Sequence, residues 1–480
     1  MNYRMIARLM GFIILILAAF MVPALLVALI YREATGWSFL VTILGAALLG
    51  FGLSRLRPRE RSMYAKEGFV VTALAWIVIS LIGAVPFTLS GQIPNYLDAV
   101  FETVSGFTTT GSSILSDIEA LDHGMLFWRS LTHWLGGMGI LVFMLALVNM
   151  SGGQSNHLLR AESPGPSVSK VMPNMRKSAA TLYGIYIFMT TLLVILLVLG
   201  GMPLFDSLCH AFGTAGTGGF GVKAASIGYY YSYYLQTVIA VFMVLFGVNF
   251  NFYFFLLMRK FKTAFRNTEV WVYLGIVILS TLIVAANVLS IFPTVYEALH
   301  HAFFSVSSII TTTGFATVDF NQWPILSQIV LVLLMVIGAC AGSTGGGLKV
   351  SRIVIVFKAA AHEVHKLLHP RTVKVLTMDG KQIGQETVSG VFGYLVVYVA
   401  VIVISILLVA LDNFDAVTST TAVLATINNI GPGLSMVGPA GNFAFFSPLS
   451  KVVLTLDMLF GRLELFPMLI LLMPSTWRKH

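Results

Sequence analysis

Residues 101–113 read FETVSGFTTTGSS, and three later stretches repeat the pattern: HAFGTAGTGGFG at 210–221, HAFFSVSSIITTTGFAT at 301–317 and TAVLATINNIGPGL at 421–434. In each, a semi-polar segment runs into a turn rich in glycine and threonine or asparagine, with long apolar runs on both sides. Aligned on Gly111, Gly219, Gly314 and Gly431, the copies lie 108, 95 and 117 residues apart, enough for two membrane crossings and a loop. A single such segment is an ordinary turn or a close helix contact through small residues. Four in the same setting describe an internal repeat of helix, re-entrant loop and helix. The segment before each turn is about 10 to 14 residues, too short to cross a bilayer.

Composition agrees. Of the 480 residues, 57% are hydrophobic and 10% charged, against roughly 25% charged in soluble domains. Apolar runs of spanning length recur, as at Phe12–Ile30, Phe69–Phe87, Leu182–Leu199 and Tyr394–Leu411. The expected fold is an all-α membrane protein with about ten full spans. Two N-terminal transmembrane helices, roughly Ile6–Tyr31 and Ser38–Leu56, occupy residues 1–62. Four pseudo-repeats of helix, pore loop and helix follow at 63–155, 156–262, 263–368 and 369–480, around a central pore. The first apolar run is too long for a signal-peptide core and reads as a retained helix. Cys209 and Cys340 lie far apart in apolar surroundings and form neither a disulfide framework nor a metal cluster.

The formal charge is +9, and its distribution argues against nucleic acid as a partner. Basic residues collect in alternate loops: around Arg55–Lys66, Arg160–Lys177, Arg259–Arg266 and Arg352–Lys381. This is the positive-inside pattern; it puts both termini in the cytoplasm and the four glycine turns on the outside, with lipid as the solvent for the rest.

Non-helical backbone is tolerated at membrane depth only inside protein or beside a watery cavity. Four turns meeting on one axis satisfy both conditions. Their carbonyl oxygens would replace the hydration shell of an ion, and glycine permits the backbone angles that this requires. The short helices would point their partly negative C-terminal ends at the axis, which favours cations. The candidate filter is Thr109, Thr110 and Gly111; Thr217, Gly218 and Gly219; Thr312, Thr313 and Gly314; Asn429, Ile430 and Gly431. A hydroxyl or amide recurs at the innermost level, on Thr109, Thr217, Thr312 and Asn429, as extra oxygen ligands for a hard cation. Gly218 and Ile430 break the symmetry, so discrimination is expected to be weaker than in a four-fold filter. Asp98 and Glu102 either attract cations or anchor the first short helix, and anchoring is favoured. These residues alone say monovalent cation.

Below the third turn the chain reads LLMVIGACAGSTGGGLKVSRIVIVFK (333–358), with five glycines between Gly338 and Gly347. Each glycine costs a helix about 1 kcal/mol relative to alanine, so the span is expected to break into an intramembrane loop. Candidate gate residues are Gly342, Ser343, Thr344, Gly345, Gly346, Gly347 and Lys349. A packing kink is the alternative. A phosphate-binding loop is rejected, because Leu348 separates Gly347 from Lys349 and no strand precedes it. Lys349 either lines the inner mouth or snorkels to the interface. Arg462, in KVVLTLDMLFGRLELFPMLILL (451–472), is a charge inside the last span. It acts either as an electrostatic barrier with the loop or as an ion-pair partner of Asp457 or Glu464.

The four loops, SGFTTTG at 105–111, RAESPGP at 160–166 and GRLE at 461–464 resemble the bacterial TrkH/TrkG potassium-uptake proteins, in a superfamily with KtrB and the plant HKT transporters. The resemblance covers nearly the whole chain, and the two leading spans suit TrkH better than KtrB. It implies potassium as the transported ion, because glycine stands at all four filter positions, where serine in the first often goes with sodium. It implies no organic cofactor in this chain. The glycine loop is then the gate, with Arg462 facing the route. It further implies a bacterial inner (plasma) membrane, a homodimer and a cytoplasmic ring-forming nucleotide-binding subunit of the TrkA type. The nearest rival mechanism is symport with sodium or protons, for which Asp457 and Glu464 are the candidate intramembrane carboxylates. An enzyme is not expected: the ten histidines are scattered and no H-E-x-x-H or paired-carboxylate motif appears.

Overall fold

The computed structural model describes residues 2–57, 65–139, 175–369 and 375–477; RAESPGP, the end of the first expected repeat and the start of the second lie outside these ranges. The chain opens with a helical hairpin, α1 (Tyr3–Ile30) and α2 (Gly36–Ser54), that packs tightly through Gly11 and Gly50. Each later unit starts with one long apolar helix: α3 (Ala65–Leu89), α6 (Met175–Leu199), α10 (Thr268–Val288) and α14 (Gln385–Val409). A short helix follows each: α4 (Tyr96–Phe107), α7 (Leu204–Ala215), α11 (Val295–Ile310) and α15 (Ala416–Ile427). Three are 12 residues long; α11 has 16, more than expected.

Three of the four short helices are capped by a side chain, and the remaining one, α7, starts from Pro203. Asn95 accepts from Leu97 N–H (2.9 Å), Thr294 from Glu297 N–H (3.2 Å) and Asp415 from Thr418 N–H (2.9 Å).

The second helices depart from the expectation of about ten full spans. Among the described residues, α1, α2, α3, α6, α10 and α14 are long and apolar enough to cross a membrane, and one bent pair makes a seventh. The partners of the second, third and fourth long helices are interrupted, and that of the first ends, among the described residues, at Gly137. Helix α5 (His123–Gly137) ends on two glycines. Helix α8 (Tyr233–Phe246) turns through 87° into α9 (Phe250–Leu257). Residues 338–349 separate α12 (Ile325–Ile337) from α13 (Val350–Leu368). Helix α16 (Pro448–Arg462) stops where Glu464 and Leu465 take φ of 55° and 62°, and α17 (Phe466–Leu472) resumes. The upper pieces have 13 to 15 residues, below crossing length.

The buried apolar side chains divide in the same way. One cluster joins the N-terminal hairpin to the first and fourth units, a second fills the third, and a third fills the second unit. The strands among the described residues are a two-stranded hairpin, β1 (Thr377–Met378) with β2 (Lys381–Gln382). Asp379 at its turn accepts from Thr268 N–H (2.7 Å), which ties the hairpin to the start of α10.

Candidate filter and the loop beneath it

All four short helices end in one hydrogen-bonded turn. Thr109 N–H donates to Gly106 O (3.1 Å) and Thr110 N–H to Ser105 O (2.9 Å). The same pair recurs as Thr217 to Thr214 (3.1 Å) with Gly218 to Gly213 (2.8 Å), and as Thr312 to Ile309 (3.0 Å) with Thr313 to Ser308 (2.8 Å). The fourth copy is Asn429 to Thr426 (3.1 Å) with Ile430 to Ala425 (2.9 Å). This is a left-handed helix cap, yet glycine is not the residue that makes it. Thr109, Thr217, Thr312 and Asn429 hold φ of 56°, 53°, 59° and 55°. A left-handed threonine costs about 1–2 kcal/mol, so the first three copies carry strain of the kind found at functional sites, whereas Asn429 tolerates the conformation. Two residues on, Gly111, Gly219, Gly314 and Gly431 also have positive φ.

The four turns close into a ring. A Cβ on Gly111 would overlap Gly218 O, one on Gly219 would overlap Thr313 O, and one on Gly314 would overlap Ile430 O. One on Gly431 would stand 2.9 Å from Thr110 O. Each glycine therefore leans on the middle residue of the next unit, and the fourth leans on the first. All twelve candidate filter residues lie in the four turns that make this ring.

The innermost side chains are engaged from below. Thr312 Oγ1 accepts from Gly346 N–H (2.7 Å), and Thr109 Oγ1 accepts from Arg462 Nη1 (3.1 Å). Thr217 Oγ1 donates to Gly216 O (2.6 Å). Asn429 Nδ2 donates to Thr110 Oγ1 and Met458 O (both 2.9 Å); its Oδ1 is buried with no hydrogen-bond partner among the described residues.

The glycine loop sits directly under the ring. A Cβ on Gly345 would stand 2.9 Å from Thr311 O, and one on Gly346 would overlap Asn428 O. Thr344 Oγ1 donates to Phe246 O (3.3 Å), Cys340 N–H to Gly247 O (3.1 Å) and Phe250 N–H to Gly342 O (2.9 Å), so the loop fills the bend between α8 and α9. Arg462 also donates to Thr344 O (3.0 Å), Gly137 O (2.9 Å) and Gly136 O. It thereby joins the loop, the end of α5 and the inner ring. Glu464 pairs with Arg352, and Asp457 accepts from Ser405 Oγ (2.7 Å). Lys349 does not snorkel to the interface: it is 3% exposed and donates back to Gly345 O within its own loop. Gly342, Ser343, Gly345, Gly346, Lys349, Asn429 and Arg462 line one cavity below the ring.

Several residues around the site escaped the sequence. Glu269, in the first turn of α10, accepts from Ala341 N–H (2.6 Å) and Ser351 N–H (3.0 Å), so one carboxylate holds both ends of the loop. Its signal was an acidic residue at the head of an apolar span. Arg129 Nε pairs with Glu102 (2.6 Å), both buried, and Glu102 also accepts from Ser113 Oγ (2.9 Å) and Ile114 N–H (3.0 Å). Asp98 pairs with Lys451 (2.6 Å). Both acids thus make anchoring contacts, with Glu102 fastening the segment just after the first turn. His133, on α5, touches the second turn and had no signal in the pattern.

A family model described as TrkH, cation transport protein, matches residues 38–479. The chain belongs to the TrkH family. It is 38% identical to the Trk system potassium uptake protein TrkH of Salmonella typhimurium, over the full length of both chains. It is 31% identical to TrkG of Escherichia coli, over 99% of each. The crystal structure of the potassium transporter TrkH from Vibrio parahaemolyticus superposes with a TM-score of 0.89 at 33% identity, covering all of both chains. Membership of the TrkH family makes this a multi-helix membrane transport protein and not an enzyme.

Proposed function

We propose that this chain is the transmembrane subunit of a Trk-type potassium-uptake system. It would pass potassium through a carbonyl-lined filter gated by an intramembrane loop. The observation that carries the reading is the closed ring in which each filter glycine abuts the neighbouring unit's backbone. Four helix C-termini surround that ring, and their partial negative charge favours a cation. The repeats run over 63–155, 156–262, 263–368 and 369–480, after an N-terminal pair of helices at 1–62.

In the gate reading, 342–347, Lys349 and Arg462 form the closed barrier. A cation at about 4 Å from a guanidinium meets repulsion of about 4 kcal/mol at an effective dielectric of 20. The membrane potential supplies about 2.3 kcal/mol per charge per 100 mV, which does not overcome it. Opening therefore requires the loop and Arg462 to leave the inner ring together, breaking the bonds to Thr312 and Thr109. Once they leave, the potential alone draws potassium inward. A cytoplasmic nucleotide-binding subunit of the TrkA type would drive that movement, on a homodimer in the bacterial inner membrane with both termini cytoplasmic.

Growth rescue of a potassium-uptake-deficient bacterium at low potassium tests the function. Rescue by the chain and its loss in Gly111→Ser and Gly314→Ser are expected; absence of rescue by an expressed, membrane-inserted chain overturns the reading. Reversal potentials under separate potassium, sodium and proton gradients would expose coupled symport as a shift with the second ion.

A further inference from the structure

The second candidate filter turn is the one whose middle position has no side chain. At the matching place the other units carry Thr110, Thr313 and Ile430. Those side chains are supported inside the protein: Thr110 bonds Thr108 (2.8 Å) and Asn429, Thr313 bonds Thr311 (2.8 Å), and Ile430 is part of the third unit's apolar core. Gly218 has no such tie.

The space beside Gly218 is filled by the His133 ring. A Cβ on Gly218 would overlap the imidazole, and one on Gly216 would overlap the His133 carbonyl. His133 is fully buried, and its ring makes two directed contacts. Nδ1 lies 2.8 Å from Gly106 O, in the end of the first short helix, and Nε2 lies 3.2 Å from Phe220 N, just after the second filter glycine. A carbonyl only accepts and a backbone N–H only donates, so Nδ1 carries the hydrogen and Nε2 is the acceptor. That assignment fixes the neutral Nδ1–H tautomer. One turn earlier on α5, Arg129 Nη1 donates to Gly221 O (3.0 Å), and its guanidinium covers the Phe220 ring at 3.5 Å. The imidazole lies on the same ring at 4.1 Å. Helix α5 of the first unit therefore supplies the walls that the second turn lacks.

We propose that His133 is the positioning residue of the second filter turn, standing in from the neighbouring unit for the side chain missing at Gly218, and that it sets discrimination between potassium and sodium. Loss of the ring frees the 217–219 carbonyls to close in around the smaller ion. The proposal rests on the potassium-filter reading.

The test is the sodium-to-potassium permeability ratio from bi-ionic reversal potentials of reconstituted protein. It uses wild type, H133A, H133Q, G218A and the double variant H133A/G218A. H133A is expected to raise the ratio about tenfold, equivalent to about 1.4 kcal/mol. G218A is expected to raise it as well, because its methyl displaces the imidazole. H133Q keeps a donor and an acceptor on one side chain and should stay near wild type. In the double variant the methyl occupies vacated space, so its ratio should fall below the product of the single effects. A wild-type ratio in monodisperse H133A, or strictly multiplicative effects in the double variant, overturns the proposal. If H133A does not assemble, a wild-type ratio in G218A overturns it equally. Wild-type protein that passes no potassium defeats the filter reading itself and the inference with it. Potassium-conducting wild type with unchanged variants defeats only the role of His133.

Discussion

The ring of turns and the second helices beneath it are built on opposite plans. At the ring, four sequences with different side chains adopt one backbone, down to matching hydrogen bonds and left-handed residues at Thr109, Thr217, Thr312 and Asn429. One level lower, four segments in equivalent positions end in different ways. One stops on glycines, one bends by 87°, one opens into a twelve-residue loop and one stops at Arg462 with positive-φ residues after it. In the proposed function, repetition is kept where oxygens would surround one ion and is abandoned where a part would have to move. Selectivity would then be a collective property of all four units, whereas control would fall to the third loop and the fourth helix.

That contrast breaks most visibly at the ring. Gly314→Ser places a side chain where Ile430 O and Pro432 already stand. Potassium uptake is expected to fall by about a hundredfold, a loss of about 2.7 kcal/mol, as measured by rubidium-86 or potassium flux in cells. A variant that transports normally would mean that the ring does not line the route.

The lower level should respond in the other direction. Arg462→Ala removes the cation beside Thr109 and Thr344, and resting flux without any partner subunit should rise about thirtyfold, or about 2 kcal/mol of the repulsion. Unchanged flux, both in this variant and after deletion of 342–347, would remove the gate from the comparison. Glu269→Gln keeps the shape but weakens both bonds that tether the loop ends. A loss of about 1 kcal/mol should raise resting flux about fivefold while leaving the permeability ratio near wild type. A changed ratio would show that the two levels are not separable.

The smallest effect expected is on stability. Asp415 caps α15, and its carboxyl titrates below the ordinary value of 3.8 because the Thr418 hydroxyl and N–H donate to it. The folded pKa is depressed, so the contribution is present above the unfolded value and is lost as pH falls through the folded one. In detergent, the melting temperature should drop as pH is lowered past 3.8, and Asp415→Asn should show a shallower drop over the same range. Identical slopes would remove the cap from the account.

The ring was legible because it is written locally. A glycine at a fixed place in each loop and a segment too short to cross were enough to propose the turns and their number. The third break was legible for the same reason, with five glycines in ten residues. The others were not. Helix α16 ends through left-handed Glu464 and Leu465, residues that propensity alone would keep helical. Helix α8 bends around Phe246–Asn249, where Gly247 ends one helix and Asn249 caps the next. The 87° angle, however, is set by the glycine loop that docks there, a tertiary event. His133 and Glu269 act on residues 87 and 72 positions away, and such contacts leave no spacing to read. The anchoring of Glu102 was readable as a preference, since a buried acid in an apolar setting needs a partner; which partner, Arg129, was not.

The order in which the ring closes has a bearing on how such a protein is made. Residues 111, 219 and 314 leave the ribosome before residue 431, and without that last arc Gly314 of the third turn has nothing to rest against. Three arcs lack a wall, so the ring cannot close until the fourth arrives. A half-synthesised polypeptide therefore lacks the closed ring that the proposed route requires.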